Sequence, residues 1–385
     1  MWEDRFQSSY GVLRDEVLET FDAYLDCGLL QHGAARVYCD TCKRTLLVAF
    51  SCKKRGVCPS CSAKRAVLFA EHLYDEVVQE TPLRHIVFTI PKRLRVYLKF
   101  DRSLNDILFN AAWGSMREVL GNDAGVLAAV LTVQTAGEAI NFHPHLHGCL
   151  ADGLFAPDGS FMPFKEIDQG NLTERFGERV LSGLHKRELI TDDIVAQIFS
   201  QEHSGFSVWV GDQFQDQDSA RFVARYIERG PISLERLSVQ GDIVTYTTND
   251  GTAHEFDVLE FLALLSTHVA KPYESLTRYY GFWSCRTRGE RRKSAPAPQP
   301  DTEPPAKPNS TWARCIKQVY EINPLECPAC NGTMRIIAFV QNPLEIKKIM
   351  SSLGLPDFRA PPPLLIPIDA SFEEPLKDPF PAYDA

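Results

Sequence analysis

The chain has 385 residues, 44% of them hydrophobic and 24% charged, with a formal net charge of −9. That length supports a substantial core and two or three domains, with the composition of an ordinary soluble globular protein. No run of the roughly 18 apolar residues that span a bilayer occurs, which excludes a transmembrane helix. The N-terminus Met1-Trp2-Glu3-Asp4-Arg5 lacks a signal pattern, so the expected location is cytoplasmic, nucleoid-associated, with no membrane partner. In chain order, residues 1–35 read as helical, with Val12, Leu13, Val17, Leu18, Phe21 and Leu25 at roughly helical spacing. A cysteine-rich module follows from Cys39 to Cys61, then a helix over Ala63 to Gln79. His85 to Ile90 is β-branched and apolar, reads as a buried strand, and stops at Pro91. Leu104 to Leu120 reads as a helix, Val126 to Thr135 as a second strand and His145 to Leu150 as a third. Asp158-Gly159 marks a hairpin tip, and Ser219 to Arg229 a helix ended by Gly230-Pro231. Ile243 to Thr247 is strand-like, Asn249-Asp250-Gly251 a turn, and Leu259 to His268 helical. The Pro- and Ala-rich stretch from Ser294 to Pro308 reads as a linker, and no internal repeat is present. The expected domains are 1–80, 81–290, a linker at 291–311, a small unit at 312–355 and a Pro-rich tail at 356–385.

Charge is unevenly placed. Arg36 to Arg65 carries eight basic residues against Asp40 alone, and Arg84 to Arg102 carries six against Asp101. Arg278 to Lys293 adds six more against Glu290, while acids collect between Asp152 and Glu202 and in the tail. Local basic patches, not the chain average, set affinity for phosphate, so the net charge does not exclude nucleic acid.

Eleven cysteines in a cytoplasmic chain point to metal rather than disulfides. Cys39-Asp-Thr-Cys42 and Cys58-Pro-Ser-Cys61 are two knuckles whose separation fits one four-thiolate structural Zn²⁺ site. Cys52 is left over as a substitute ligand, a packing residue or a free thiol. Cys327-Pro-Ala-Cys330 is a lone knuckle that cannot close a site by itself, so it is a second zinc site, with Cys315 as a possible contributor, or a relic. The basic surface around Lys53, Lys54 and Arg55 suggests contact with nucleic acid.

In Phe142-His143-Pro144-His145-Leu146-His147, strand alternation sends His145 and His147 to one face while Leu146 packs behind. Two imidazoles on a rigid strand form a partial metal site needing one or two further ligands. On the helix from Ser219, Phe222 and Tyr226 share a face beside a stripe of Arg221, Arg225 and Arg229. Alone, such an aromatic pair is more often core packing. A tyrosine among guanidinium groups is also a candidate nucleophile toward phosphate, its ordinary pKa near ~10 needing to be lowered.

These segments in order, with Ser51-Cys-Lys-Lys-Arg-Gly-Val-Cys-Pro-Ser-Cys61, Arg278-Tyr-Tyr-Gly-Phe282 and the Cys327 knuckle, resemble HUH-superfamily transposases of the IS91 and ISCR branch. The resemblance covers roughly residues 30–340. It implies an α+β fold: an N-terminal zinc ribbon, an antiparallel HUH endonuclease sheet with flanking helices, and a small C-terminal Cys-x-x-Cys unit. It implies a rolling-circle enzyme that nicks single-stranded element-end DNA, forms a 5′-phosphotyrosine through Tyr226 and rejoins strands. His145 and His147 become the pair that holds Mg²⁺ or Mn²⁺. Zinc would be the naive choice for imidazole, so an oxygen-bearing third ligand is expected, with Gln134 ahead of Glu138 and His143. Two-tyrosine members carry a second tyrosine where this chain has Phe222, which implies a single-tyrosine form. The alternatives are an HUH replication initiator or relaxase, a non-catalytic zinc-stabilised DNA-binding protein, and a metallohydrolase with no covalent step.

Overall fold

The computed structural model describes residues 2–201, 203–214, 217–294 and 325–355. The chain forms two units, one of Met1–Cys27 with Ser51–Ala306 and one of Gly28–Phe50 with Lys307–Ala385. This division differs from the expected boundary at residue 80: residues 28–50 leave the N-terminal region and join the C-terminal one. Most of the expected linker at 291–311, Cys315 and the tail at 356–385 lie outside the described residues.

The larger unit is α+β. Its main sheet contains β1 (Leu83–Thr89), β2 (Ala128–Ala136), β3 (Phe142–Ala151), β4 (Ser207–Gln213) and β5 (Thr277–Gly281). The order is β5-β2-β3-β1-β4 and every pairing is antiparallel. β3 is therefore central, and each of its residues is fixed by two neighbours: His145 faces Thr89 and Gln134, and His147 faces Val87 and Thr132. Near Pro144 the register with β2 shifts, so the strand takes up one extra residue. A proline has no N–H to give to the ladder, and a bulge absorbs it. This is why β3 begins at Phe142 rather than at the expected His145.

Alternation along β3 divides the sheet into two chemically different faces. Leu146 and Leu150, with Phe88, Leu131 and Val133, face the main core. Packed there are α2 (Lys92–Phe100), α3 (Asn105–Leu120) and α4 (Gln169–His185), which follow α1 (Pro59–His72) in the chain. α4 meets the sheet through Leu172, Phe176, Val180, Leu181 and Leu184, at helical spacing, although no element was expected there. Each such side chain contributes on the order of 1.5–3 kcal/mol on burial. On the opposite face, α1 and α5 (Gln217–Ile227) cover only one end, through Ala70, Ala220, Val223, Ala224 and Ile227 against Val130, Cys149 and Ala151. The His145 end of that face is left polar.

Gly148 lies between His147 and Cys149, where an added Cβ would sit 2.5 Å from both the Val130 carbonyl oxygen and a Leu131 methyl. Gly148→Ala is expected to lower stability by about 1–3 kcal/mol, because the backbone oxygen cannot move aside cheaply. Chemical denaturation measures this; an unchanged midpoint would mean the sheet opens to accept the methyl.

A second sheet of Leu237–Gln240, Ile243–Thr247 and Ala253–Asp257 packs with the helix Val258–Ser266 and Ile140. The turn at Asn249-Asp250-Gly251 forms as expected, with Gly251 at φ 85°. The expected N-terminal helix instead stops at Leu25, after two shorter helices that end at Gly11, φ 82°. Left-handed backbone at Gly11, and again at Gly28 (φ 80°), interrupts the helical ladder.

The smaller unit has a three-stranded antiparallel sheet with Ala34–Cys39 between Thr45–Ala49 and Met334–Val340. The helix Pro343–Ser352 closes a small core of Leu30, Ala34, Leu47, Ile346 and Met350.

Candidate active site and cysteine sites

His145 and His147 project from β3 with their Nε2 atoms 2.9 Å apart. Both outer nitrogens are engaged: His145 Nδ1 donates to the His143 carbonyl at 2.6 Å, and His147 Nδ1 lies 3.0 Å from His85 Nε2. A metal-ready His147 donates from Nδ1 to His85 and keeps the Nε2 lone pair free, the outer-nitrogen arrangement common to metal-ligating histidines. His85 stacks on His147 with ring centres 5.2 Å apart. Sequence reasoning took His85 only as the start of a strand. Its position across β1 from Cys149, two residues beyond His147, is the tertiary reason it reaches the site.

His147, His85 and His143 are held neutral. Burial first, then His145 and His85, hold His147 well below its ordinary value. Burial and His145 push His85 down to about 3, and burial with His145 and Arg95 pushes His143 to about 2. Unprotonated rings are what a metal requires. Further along the same unit, burial pushes His268 down to about 4 while it donates from Nε2 to the Ile140 carbonyl and accepts from Thr135. A depressed histidine favours the folded state fully above its unfolded pKa near ~6.5 and loses that contribution as pH falls toward the folded value. Melting experiments from pH 7.5 downward should therefore show stability falling below about 6.5, by up to about 1.4 kcal/mol per pH unit per histidine. His268→Gln should flatten this profile; an unchanged profile would remove His268 as a contributor.

Tyr226 lies edge-on to His147 and His85. Its ring centre is 5.5 Å from that of His147 and 6.4 Å from that of His85. Arg229 Nη2 donates to the Tyr226 hydroxyl at 3.0 Å, and its guanidinium sits 3.9 Å above the ring. Thus α5 and β3, 79 residues apart at Tyr226 and His147, supply one site. Gln134 faces His145 across β2, but its Nε2 donates to the carbonyls of Tyr226 (3.0 Å) and Ile227 (2.7 Å). It anchors the end of the tyrosine helix. Phe222, one turn earlier, is 40% exposed.

Of the expected DNA-contacting residues, Arg225, Arg229 and Lys53 are exposed. Arg221 stacks on Tyr74 at 4.6 Å and pairs with Asp75 at 3.4 Å. Lys54 uses its amide on Cys52 Sγ, and Arg55 turns inward to Glu228.

The structure redraws the expected zinc site. Cys39 and Cys42 do not join Cys58 and Cys61. One cluster is Cys27, Cys52, Cys58 and Cys61, and the other is Cys39, Cys42, Cys327 and Cys330. Cys27 was missed because it stands alone in sequence, and Cys52 takes a full place. Residues 28–50, which carry the first knuckle, group with the C-terminal segment. A tetrahedron of thiolates about 2.3 Å from zinc places its sulfurs about 3.8 Å apart. Observed Sγ separations are 3.7 Å for Cys27–Cys58, 3.8 Å for Cys27–Cys61 and 3.5 Å for Cys52–Cys61. In the second cluster they are 3.6 Å for Cys39–Cys330 and 3.4 Å for Cys42–Cys327. The two knuckles of that cluster share one hydrogen-bond pattern. The amides of Lys43 and Asn331, both at positive φ, donate to the carbonyls of Cys39 and Cys327, and the amides of Cys39 and Cys327 donate to the carbonyls of Arg44 and Gly332. Both clusters fit structural zinc.

Comparison with known proteins defines the class. Residues 1–90 match a model described as a transposase zinc-binding domain, and residues 128–291 match one described as a putative transposase. The chain is 24% identical over 350 residues, 84% of each chain, to the transposase for insertion sequence element IS801 of Pseudomonas savastanoi pv. phaseolicola. It is 25% identical over 348 residues, 76% of this chain and 81% of the relative, to the putative transposase y4qJ of Sinorhizobium fredii. No solved structure matches. The chain is thus similar to insertion-sequence transposases over both matched regions.

Proposed function

We propose that this protein is a transposase that nicks and rejoins single-stranded DNA at element ends through a 5′-phosphotyrosine on Tyr226. The observation that carries the reading is the meeting of Tyr226 with the His145–His147 pair, 5.5 Å from ring centre to ring centre at His147. In this mechanism the Tyr226 oxygen attacks the scissile phosphorus, forming an O–P bond while the bond from phosphorus to the 3′ oxygen breaks. The phenolic proton leaves as the bond forms, and the departing oxygen is released as a 3′-OH. Arg229 donates to the phenol oxygen and places positive charge beside it. Arg225, exposed on the same helix, offers charge to the DNA backbone.

His145 and His147 would hold Mg²⁺ or Mn²⁺, which when bound supplies charge neutralisation at the phosphate. Gln134 anchors the helix through Nε2, which leaves its Oε1 as the atom that would serve as the third ligand. With Phe222 in place of a second tyrosine, one subunit carries one covalent strand at a time. The two cysteine clusters would bind structural zinc. The partners are element-end DNA and its single strands, and no helix among the described residues is long and apolar enough to cross a membrane.

The test is incubation with end-sequence oligonucleotides of both strands and Mn²⁺, followed by denaturing electrophoresis. A denaturant-resistant protein–DNA band is expected; its absence across metals and strands would overturn the reading.

A further inference from the structure

Glu228 is two residues beyond Tyr226 and its side chain is only 1% exposed. It is not solvated like its arginine neighbours but receives charge from the cysteine module. Arg55, in the loop between Cys52 and Cys58, donates to Glu228 Oε1 at 2.5 Å, and Arg65, from α1, donates to the same oxygen at 2.6 Å. The other carboxylate oxygen accepts from Thr277 Oγ1 at 3.2 Å. Thr277 meets Thr132 at 3.0 Å, and Thr132 faces His147 across the sheet. The chain also passes close to α1 at the next turn: a Cβ on Gly230 would lie 2.9 Å from Ser62 Oγ. All these residues belong to the larger unit.

A buried ion pair of this kind contributes little net stability compared with an apolar substitute, because desolvation offsets the attraction. What it does supply is a fixed geometry. Gln134 ties the Tyr226 and Ile227 carbonyls to β2, and Glu228 ties the next residue to the module. The end of α5 is thus clamped from the sheet on one side and from the module on the other.

We propose that Arg55, Arg65 and Glu228 form a positioning clamp through which the Cys27/Cys52/Cys58/Cys61 module holds the Tyr226 helix over His145 and His147. The module thereby acts on the strand-cutting site as well as on DNA. This rests on Tyr226 being the nucleophile. Misplacing a reacting group by about 1 Å can cost about 100-fold in rate.

The test uses the full chain with Arg55→Met, Arg65→Met, Glu228→Gln and the conservative Arg55→Lys. Three quantities are measured: adduct formation at saturating oligonucleotide, oligonucleotide affinity by fluorescence anisotropy, and amide exchange over residues 217–229. The expected result is a saturating rate about 10–100-fold lower in Arg55→Met, affinity within about twofold of the parent, and partial rescue by Arg55→Lys. Exchange should quicken over 217–229 and not in the main sheet. Arg65, whose side chain is 55% exposed, gives a variant that tests the clamp should Glu228→Gln not fold. An unchanged saturating rate, or a loss confined to affinity, would overturn the clamp and make the arginines DNA contacts. Should the parent itself form no adduct, the nucleophile reading fails, and unchanged exchange in Arg55→Met would overturn the clamp separately.

Discussion

Tyr226→Phe is expected to abolish the covalent DNA adduct while leaving the fold and DNA binding close to the parent. Phenylalanine keeps the ring that packs edge-on against His147 and His85, so the helix stays seated. It removes the hydroxyl that Arg229 contacts and that the proposed reaction requires. Removing a nucleophile lowers turnover by about 10⁴-fold or more in enzymes with covalent intermediates. The adduct should therefore fall below detection, with oligonucleotide affinity within about threefold. A metallohydrolase acting without a covalent step makes the opposite forecast, strand cutting by Tyr226→Phe with no adduct in either protein. Persistence of the adduct in Tyr226→Phe would move the nucleophile elsewhere and remove the proposed mechanism. Phe222→Tyr is the complementary variant: a second tyrosine one turn earlier, at an already exposed position, should leave adduct formation by Tyr226 intact.

The second large effect concerns the cysteines. Purified protein is expected to carry two zinc ions per chain, one for each cluster of four sulfurs. Cys27→Ser should lose one ion and Cys327→Ser the other, both read by elemental analysis against protein concentration. A single site built from Cys39, Cys42, Cys58 and Cys61 predicts one ion per chain and no loss in Cys27→Ser. The energetic consequence is larger in the smaller unit. Its core rests on few side chains, Leu30, Ala34, Leu47, Ile346 and Met350. Structural zinc supplies about 10–16 kcal/mol of apparent binding free energy in small peptides, more than such a core provides. Chelation or Cys327→Ser should therefore release the pairing of Met334–Val340 with Ala34–Cys39, seen as fast amide exchange there. Full protection in the zinc-free protein would show that the apolar core suffices.

How much of this was legible before the fold depends on the range of the interactions. Strands such as Ile243–Thr247 and helices such as Asn105–Leu120 follow from local pattern, and their observed ends lie close to the expected ones. The helix Gln169–His185 was equally legible from Leu172, Phe176, Val180 and Leu184, but the surrounding acids drew the reading toward charge rather than periodicity. The start of β3 was misplaced because a proline within a strand reads as a break, and only the bulge against β2 shows how the sheet accepts it. The expectation for Gln134 as a ligand rests on its place on a strand. The carbonyls of Tyr226 and Ile227, which its Nε2 also meets, lie on a helix that the sequence could not bring there.

By itself the sequence determined which residues share a face: His145 with His147 by strand alternation, Phe222 with Tyr226 by helical spacing. It also carried the resemblance to transposases, because several specific motifs occur in a set order. Only the tertiary structure decided which distant groups meet. Cys27 joins Cys52, Cys58 and Cys61, while Cys39 and Cys42 join partners about 290 residues away. Glu228 receives Arg55 and Arg65, and Tyr226 receives the histidines. The physical reason is common to all of them: periodicity orients a side chain relative to its own element, whereas a ligand set or an ion pair depends on how elements pack. That packing is set by the summed burial of apolar faces and not by the residues that carry the chemistry.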